Sequence, residues 1–170
     1  MGKTRIVLGA DHGGFLMKEK LKKWLKKKES LGVFDVGALK MDKKDDFVDY
    51  AVLVAGELEE NSGAKGILFC RNGFGMVMAA NRFLGVRCGL GFNIEVVKKG
   101  RNDDDINCLA IPADYINFEK LVKMVEAFLK TKYSGEERFR RRLFKLEMIE
   151  GSERGNGGCS SRGKCGSVGC

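Results

Sequence analysis

Gly66-Ile67-Leu68-Phe69-Cys70, then Arg71-Asn72-Gly73-Phe74-Gly75, then Met76-Val77-Met78-Ala79-Ala80-Asn81, is the stretch whose reading decides the fold. Its first five residues are apolar without alternation, the pattern of a strand covered on both faces. Glycines at 73 and 75 interrupt it, and a helical run from Met76 to about Arg82 follows. The same strand, turn and helix occur earlier. Arg5 to Gly9 reads as a strand, Asp11-His12-Gly13-Gly14 as its turn, and Phe15, Leu16, Leu21, Trp24 and Leu25 as the apolar stripe of a helix. Between and beyond these units lie a short strand at Val33 to Val36, a helix at Phe47 to Leu58, and a strand at Val86 to Leu90. A short helix at Ile94 to Lys99, a strand at Cys108 to Ile111, an amphipathic helix at Phe118 to Leu129 and a basic helix at Glu136 to Ile149 complete the series. Alternation of this kind predicts parallel strands joined by crossover helices. The expected fold is therefore α/β, a three-layer α/β/α domain with a five-stranded parallel sheet of Rossmann-like type.

The 170 residues suit one domain over 1–150 with a tail over 151–170. From Gly151 onward the chain is Gly, Ser and Cys without a period, so a disordered tail is expected. No apolar run approaches the ~18 residues of a membrane span. The apolar segment after Arg5 is too short for a signal-peptide core. The expectation is a cytoplasmic protein with no membrane partner. The formal net charge is +8, and seven lysines fall between Lys18 and Lys28. That excess suits anionic ligands. The plainer reading is a solvated helix face, because Trp24 shares its stripe with Leu21, Leu25 and Lys28 and no nucleic-acid motif accompanies it. Nucleic acid is thus not an expected partner, and a polyanion binder stands only as an alternative. Cys70, Cys88 and Cys108 lie in strand-like runs, and Cys159, Cys165 and Cys170 in the tail. Disulfides are not expected inside the cell. Three tail cysteines without a histidine do not make a zinc site.

In open parallel sheets ligands bind outside the carboxyl ends of the strands. Three polar loops are expected at that edge: Asp11-His12, Cys70 to Gly75, and Asn102 to Asn107. Gly73 and Gly75 let the backbone approach a ligand, and the helix start behind them offers free N–H groups to negative charge. A thiolate at Cys70 would be favoured by that positive end. The nucleotide fingerprint G-x-G-x-x-G and the P-loop lysine pattern are absent. His12 is the single histidine, and its place directly after the first strand marks it for the site. Arg138 and Arg142 are four apart, so they share a helix face and can clamp one phosphate.

The runs Gly9 to Gly14, Gly66 to Asn81, Gly85-Val86-Arg87, Asn107 to Ile111 and the pair Arg138 and Arg142 together resemble the ribose-5-phosphate isomerase type B and galactose-6-phosphate isomerase subunit family. The resemblance covers about residues 4 to 149. It implies a metal-free, cofactor-free aldose–ketose isomerase acting on a phosphorylated sugar through an enediolate. It also implies a homodimer or tetramer whose active sites are shared between subunits. Cys70 matches the base that moves a proton between C1 and C2, and Asn72, with the N–H groups of Gly73 and Gly75, matches the group stabilising the enediolate oxygen. Asp11 and His12 match residues that touch the sugar and its phosphate, and Arg138 and Arg142 those that hold the phosphate of a substrate bound mainly to another subunit.

The chain departs from that pattern at several positions. The family's His-Asn-Asp is Asp103-Asp104-Asp105 here, which puts Asp103 at the ring-opening position and Asp104 beside it on the substrate. An aspartate with an ordinary pKa of ~3.9 is a poor acid near neutrality. Ring opening is therefore expected to be weak, favouring a sugar that needs none, such as a tetrose 4-phosphate. A subunit that borrows the missing histidine from a paralogue is the alternative. Glycine has become Arg71, threonine Asn72, Tyr-Pro Phe47-Val48, an arginine after the fifth strand Asp114, and a histidine Phe139.

Overall fold

The computed structural model describes residues 2–155, with side chains described through 151. The tail from 156 onward, with Cys159, Cys165 and Cys170, lies outside the described residues. The elements run β1 (Thr4–Ala10), α1 (Phe15–Leu25), β2 (Leu31–Asp35), α2 (Phe47–Glu60), β3 (Lys65–Cys70), α3 (Phe74–Ala80), β4 (Cys88–Leu90), α4 (Ile94–Asp104), β5 (Cys108–Pro112), α5 (Phe118–Lys130) and α6 (Glu137–Gly155). Every strand pair is parallel, and the sheet order is β2-β1-β3-β5-β4. No described helix is long and apolar enough to cross a membrane.

Two apolar clusters explain the three layers. Ile6, Leu8, Ile67, Phe69, Leu109 and Ile111 face one side of the sheet and meet α1, α4 and α5 through Leu21, Val97, Leu121, Met124 and Phe128. Val7, Leu68, Cys70 and Ala110 face the other side and meet α2 and α3 through Ala51, Val54, Ala55, Met76 and Ala80. Because successive strand residues point to opposite faces, both sets of strand residues are buried, and the unbroken apolar runs follow from that. Trp24 packs against the first cluster as its stripe requires.

Two elements differ from the sequence expectation in ways that bear on function. α4 reaches Asp104 rather than stopping at Lys99, so Asn102, Asp103 and Asp104 form its last turn. The buried Arg101 holds that turn, donating to Asp105 Oδ1 at 2.6 Å, to the Ile106 carbonyl at 2.6 Å and to the Thr131 carbonyl at 3.3 Å. α6 runs to Gly155, past the expected end at Ile149. The lysine face is also not wholly solvated. Lys18 is fully buried and binds both Asp35 oxygens, at 2.8 and 2.7 Å, and the Ala38 carbonyl, while Lys22 also reaches Asp35.

Candidate active site

The strand order reverses between β1 and β3, and the loops after those two strands open at this switch point, where open α/β sheets bind ligands. Ala10 lies beside Phe69, so Asp11-His12 and Cys70-Arg71 leave the sheet side by side. The turn at 13–14 packs tightly on the β3 loop, since a Cβ at Gly14 would strike the Phe69 backbone and one at Gly13 the Arg71 side chain. Asp11 is buried and accepts from the Gly14 N–H at 3.0 Å. Burial pushes its carboxyl above the ordinary range, only partly offset by the Gly14 N–H and by His12.

Cys70 is buried at the end of β3. Its Sγ accepts from the Gly73 N–H at 3.1 Å. Gly73 holds φ +83, the left-handed conformation glycine favours, and caps the start of α3. The expectation of a favoured thiolate is corrected here. Burial is the largest influence and raises the thiol, the charge of Asp11 adds to it, and the N–H groups of Gly73, Met76 and Asn72 oppose without reversing it. Those backbone donors converge on the sulfur rather than standing free for an oxyanion. Nor is the space at Gly75 open to a ligand, because the Phe47 ring fills it, 2.6 Å from where a Cβ would stand. Asn72 is exposed, and its Oδ1 accepts from the Phe74 N–H at 3.1 Å. That bond turns the amide NH₂, a double donor, to the open side of the loop.

Two departures prove to be partners. Arg71 Nε donates to Asp114 Oδ2 at 2.9 Å across the loops that follow β3 and β5. A residue that the motif reading missed also enters the site. Asp45, in the loop before α2, accepts from the His12 backbone N–H at 3.0 Å and meets His12 Nδ1 at 2.6 Å, both through Oδ1. Burial and the charge of Asp45 push the neighbouring Tyr50 phenol up.

The third expected loop does not join this edge. In a parallel sheet every strand enters at one edge and leaves at the other, and residues 102–107 lead into β5. The Asn107 carbonyl accepts from the Gly66 N–H at 2.9 Å, placing it at the entry of β3. From Gly66 to Cys70 the strand covers about 13 Å at about 3.3 Å per residue. Asp103 and Asp104 thus lie at the opposite edge of the sheet. Asp104 borders a groove of about 700 Å³ there, shared with Leu84, Arg87, Leu143, Leu146 and Ile149. Arg138 and Arg142 on α6 are exposed, their guanidinium groups 4.5 and 5.7 Å from the buried Phe139 ring, with Arg138 paired to Glu136 at 2.9 Å. Among the described residues no group of three or more His, Cys, Asp or Glu could hold a metal ion.

Comparison with known proteins bears on this geometry. A family model described as ribose/galactose isomerase matches residues 6–146. A probable ribose-5-phosphate isomerase B of Mycoplasma genitalium is 34% identical over 146 residues, covering 85% of this chain and 95% of its own length. Ribose-5-phosphate isomerase B of Mycobacterium tuberculosis is 29% identical, with coverage of 84% and 88%. The crystal structure of the Mycoplasma genitalium enzyme with bound ribulose-5-phosphate superposes with a TM-score of 0.84 at 31% identity, covering 89% of this chain and 99% of that one.

Proposed function

The chain belongs to the ribose/galactose isomerase family, and from that premise we propose that it is an aldose–ketose isomerase of phosphorylated sugars in which Cys70 is the base. The carrying observation is the placement of Cys70 Sγ at the β1/β3 switch point, beside Asp11 and within reach of the Gly73 and Asn72 backbone N–H groups. The thiolate takes the proton from C2 of the open aldose, leaving an enediolate, and the proton returns to C1 while the hydroxyl proton of O2 moves to O1. The Asn72 NH₂ donates to the developing oxyanion. Asp11 and His12 contact the sugar and its phosphate from the β1 turn.

Asp103 stands at the edge opposite Cys70, and the segment leading into α6 joins that edge through the Ser134 N–H bond to the Asn102 carbonyl, so Arg138, Arg142 and Asp103 are assigned away from the Cys70 site of their own chain. They serve the site of a second copy, the two arginines holding its phosphate by charge-assisted bonds and Asp103 and Asp104 bordering its sugar. This makes the working unit at least a homodimer.

The test is a panel of C4, C5 and C6 aldose phosphates assayed for conversion to ketoses, with the wild type and Cys70→Ala side by side. Wild-type turnover of a pentose phosphate is expected. The variant should lose at least ~10²-fold, the scale of a missing acid–base group, with an unchanged unfolding midpoint. Near-wild-type turnover in Cys70→Ala removes the cysteine from the mechanism.

A further inference from the structure

His12 is the only histidine of the chain. One carboxylate oxygen holds it twice: Asp45 Oδ1 lies 3.0 Å from its backbone nitrogen and 2.6 Å from its Nδ1. The Asp45 side chain is 8% exposed and that of His12 33%. The carboxylate therefore covers the Nδ1 side of the ring, and Nε2 is the ring nitrogen left for a ligand. The Tyr50 phenol also bonds this carboxylate and the Asp11 charge faces it, while Asp45 Oδ1 is the oxygen that holds both nitrogens of His12. The turn that carries His12 leans on the Cys70 loop through the Gly13–Arg71 and Gly14–Phe69 contacts.

We infer that Asp45 is a positioning residue that keeps the His12 proton on Nδ1, and that His12 Nε2 opens the furanose ring of a cyclic aldose phosphate at this site. The inference rests on the isomerase reading above and adds the step that precedes enolisation. Nε2 takes the proton of the anomeric hydroxyl. The C1–O1 bond becomes a carbonyl as the bond from C1 to the ring oxygen breaks, and the ring oxygen leaves with that electron pair. The imidazolium, its charge balanced by Asp45, then returns the proton to that oxygen, so His12 ends neutral and the sugar open. Holding one tautomer against a carboxylate is how a histidine acts as base and then acid in turn. Asp103 need not perform this step, and a cyclic pentose phosphate is as suitable a substrate as an open one.

The experiment compares kcat/KM for ribose 5-phosphate, which is cyclic in water, with that for erythrose 4-phosphate, whose esterified O4 cannot close a five-membered ring. Asp45→Asn keeps an acceptor for both His12 N–H groups and removes the charge. It is expected to lower the ribose 5-phosphate value by about 10²-fold, the range of acid–base contributions. The loss on the tetrose should be smaller, shifting the ratio of the two by at least about tenfold, whereas Cys70→Ala lowers both alike. The lone imidazole also reports directly by ¹⁵N NMR: wild-type His12 carries its proton on Nδ1, and Asp45→Ala moves it toward Nε2. Equal losses of Asp45→Asn on both sugars, or a wild-type proton on Nε2, overturn the role of Asp45 and leave the isomerase reading standing. A wild type that isomerises neither sugar overturns both.

Discussion

Cys70, the proposed base, is buried, and the pH dependence expected of it follows from that. Burial, reinforced by Asp11, holds the free thiol above its ordinary value of 9.0 despite the backbone N–H groups aimed at the sulfur. The base form is the thiolate, so activity limited by it rises as pH rises toward the raised value. Because kcat/KM reports groups of the free enzyme, its ascending limb should continue through about pH 9, and a plateau reached by about pH 8 would contradict Cys70 as a buried base. Cys70, Gly73 and His12 were legible in the sequence because each sits where a strand ends and a glycine turn begins. Asp45 was not. It pairs with a residue 33 positions away and stands in a run of aspartates and lysines that reads as solvated loop. Arg71 and Asp114, 43 positions apart, likewise looked like separate departures until the loops after β3 and β5 brought them into contact.

Among the elements, strands and helices were legible wherever apolar spacing was strong, and their ends were not where charged residues carried the helix on. α4 shows the reason: its last turn is held by the guanidinium of Arg101, a polar contact network that hydrophobic periodicity cannot register. The lysine-rich α1 is the second case. Lys18 anchors the helix to the end of β2 and to the segment after it, through Asp35 and the Ala38 carbonyl. Although burial alone would raise the Asp35 carboxyl, its bonds to Lys18 and Lys22 outweigh that and leave it below its ordinary 3.8. A carboxyl lowered in the folded state contributes stability that is complete above its unfolded value and is lost as pH falls through the folded one. Asp35→Asn leaves a buried ammonium with Glu19 and one carbonyl, and should destabilise by about 3 kcal/mol near neutrality, the scale for breaking a buried pair. Urea melts should show the deficit in full at pH 7 and shrinking below about pH 4. A deficit that does not change with pH would assign the role of Asp35 to packing.

The whole molecule divides its candidate machinery between two edges of one sheet. Cys70, Asn72, Asp11 and His12 open at the exit edge, while Asp103, Asp104 and α6 with its arginines lie away from it. The resemblance already set Arg138 and Arg142 on another subunit's substrate, but the sequence reading put Asp103 and Asp104 on the exit edge with Cys70, because which edge a segment occupies depends on whether it follows or precedes a strand. Two apolar faces match that division: Val52, Leu53, Phe74 and Met78 are exposed on α2 and α3 near the Cys70 loop, and Phe144, Leu146, Met148 and Ile149 along α6. Such faces on one chain suit a symmetric pair in which each copy completes the site of the other. The consequence is quantitative. Cys70→Ala and the double variant Arg138→Ala/Arg142→Ala should each be nearly inactive alone, the first in kcat and the second through a raised KM. Mixed and allowed to exchange subunits, they form heterodimers with one site damaged twice and one intact. Random exchange makes half the dimers mixed, and with one good site in two, roughly a quarter of wild-type activity should return at a substrate concentration that saturates the wild type. Sites built within single chains would return no activity on mixing, so the absence of recovery after demonstrated exchange would place Arg138 and Arg142 outside the shared site.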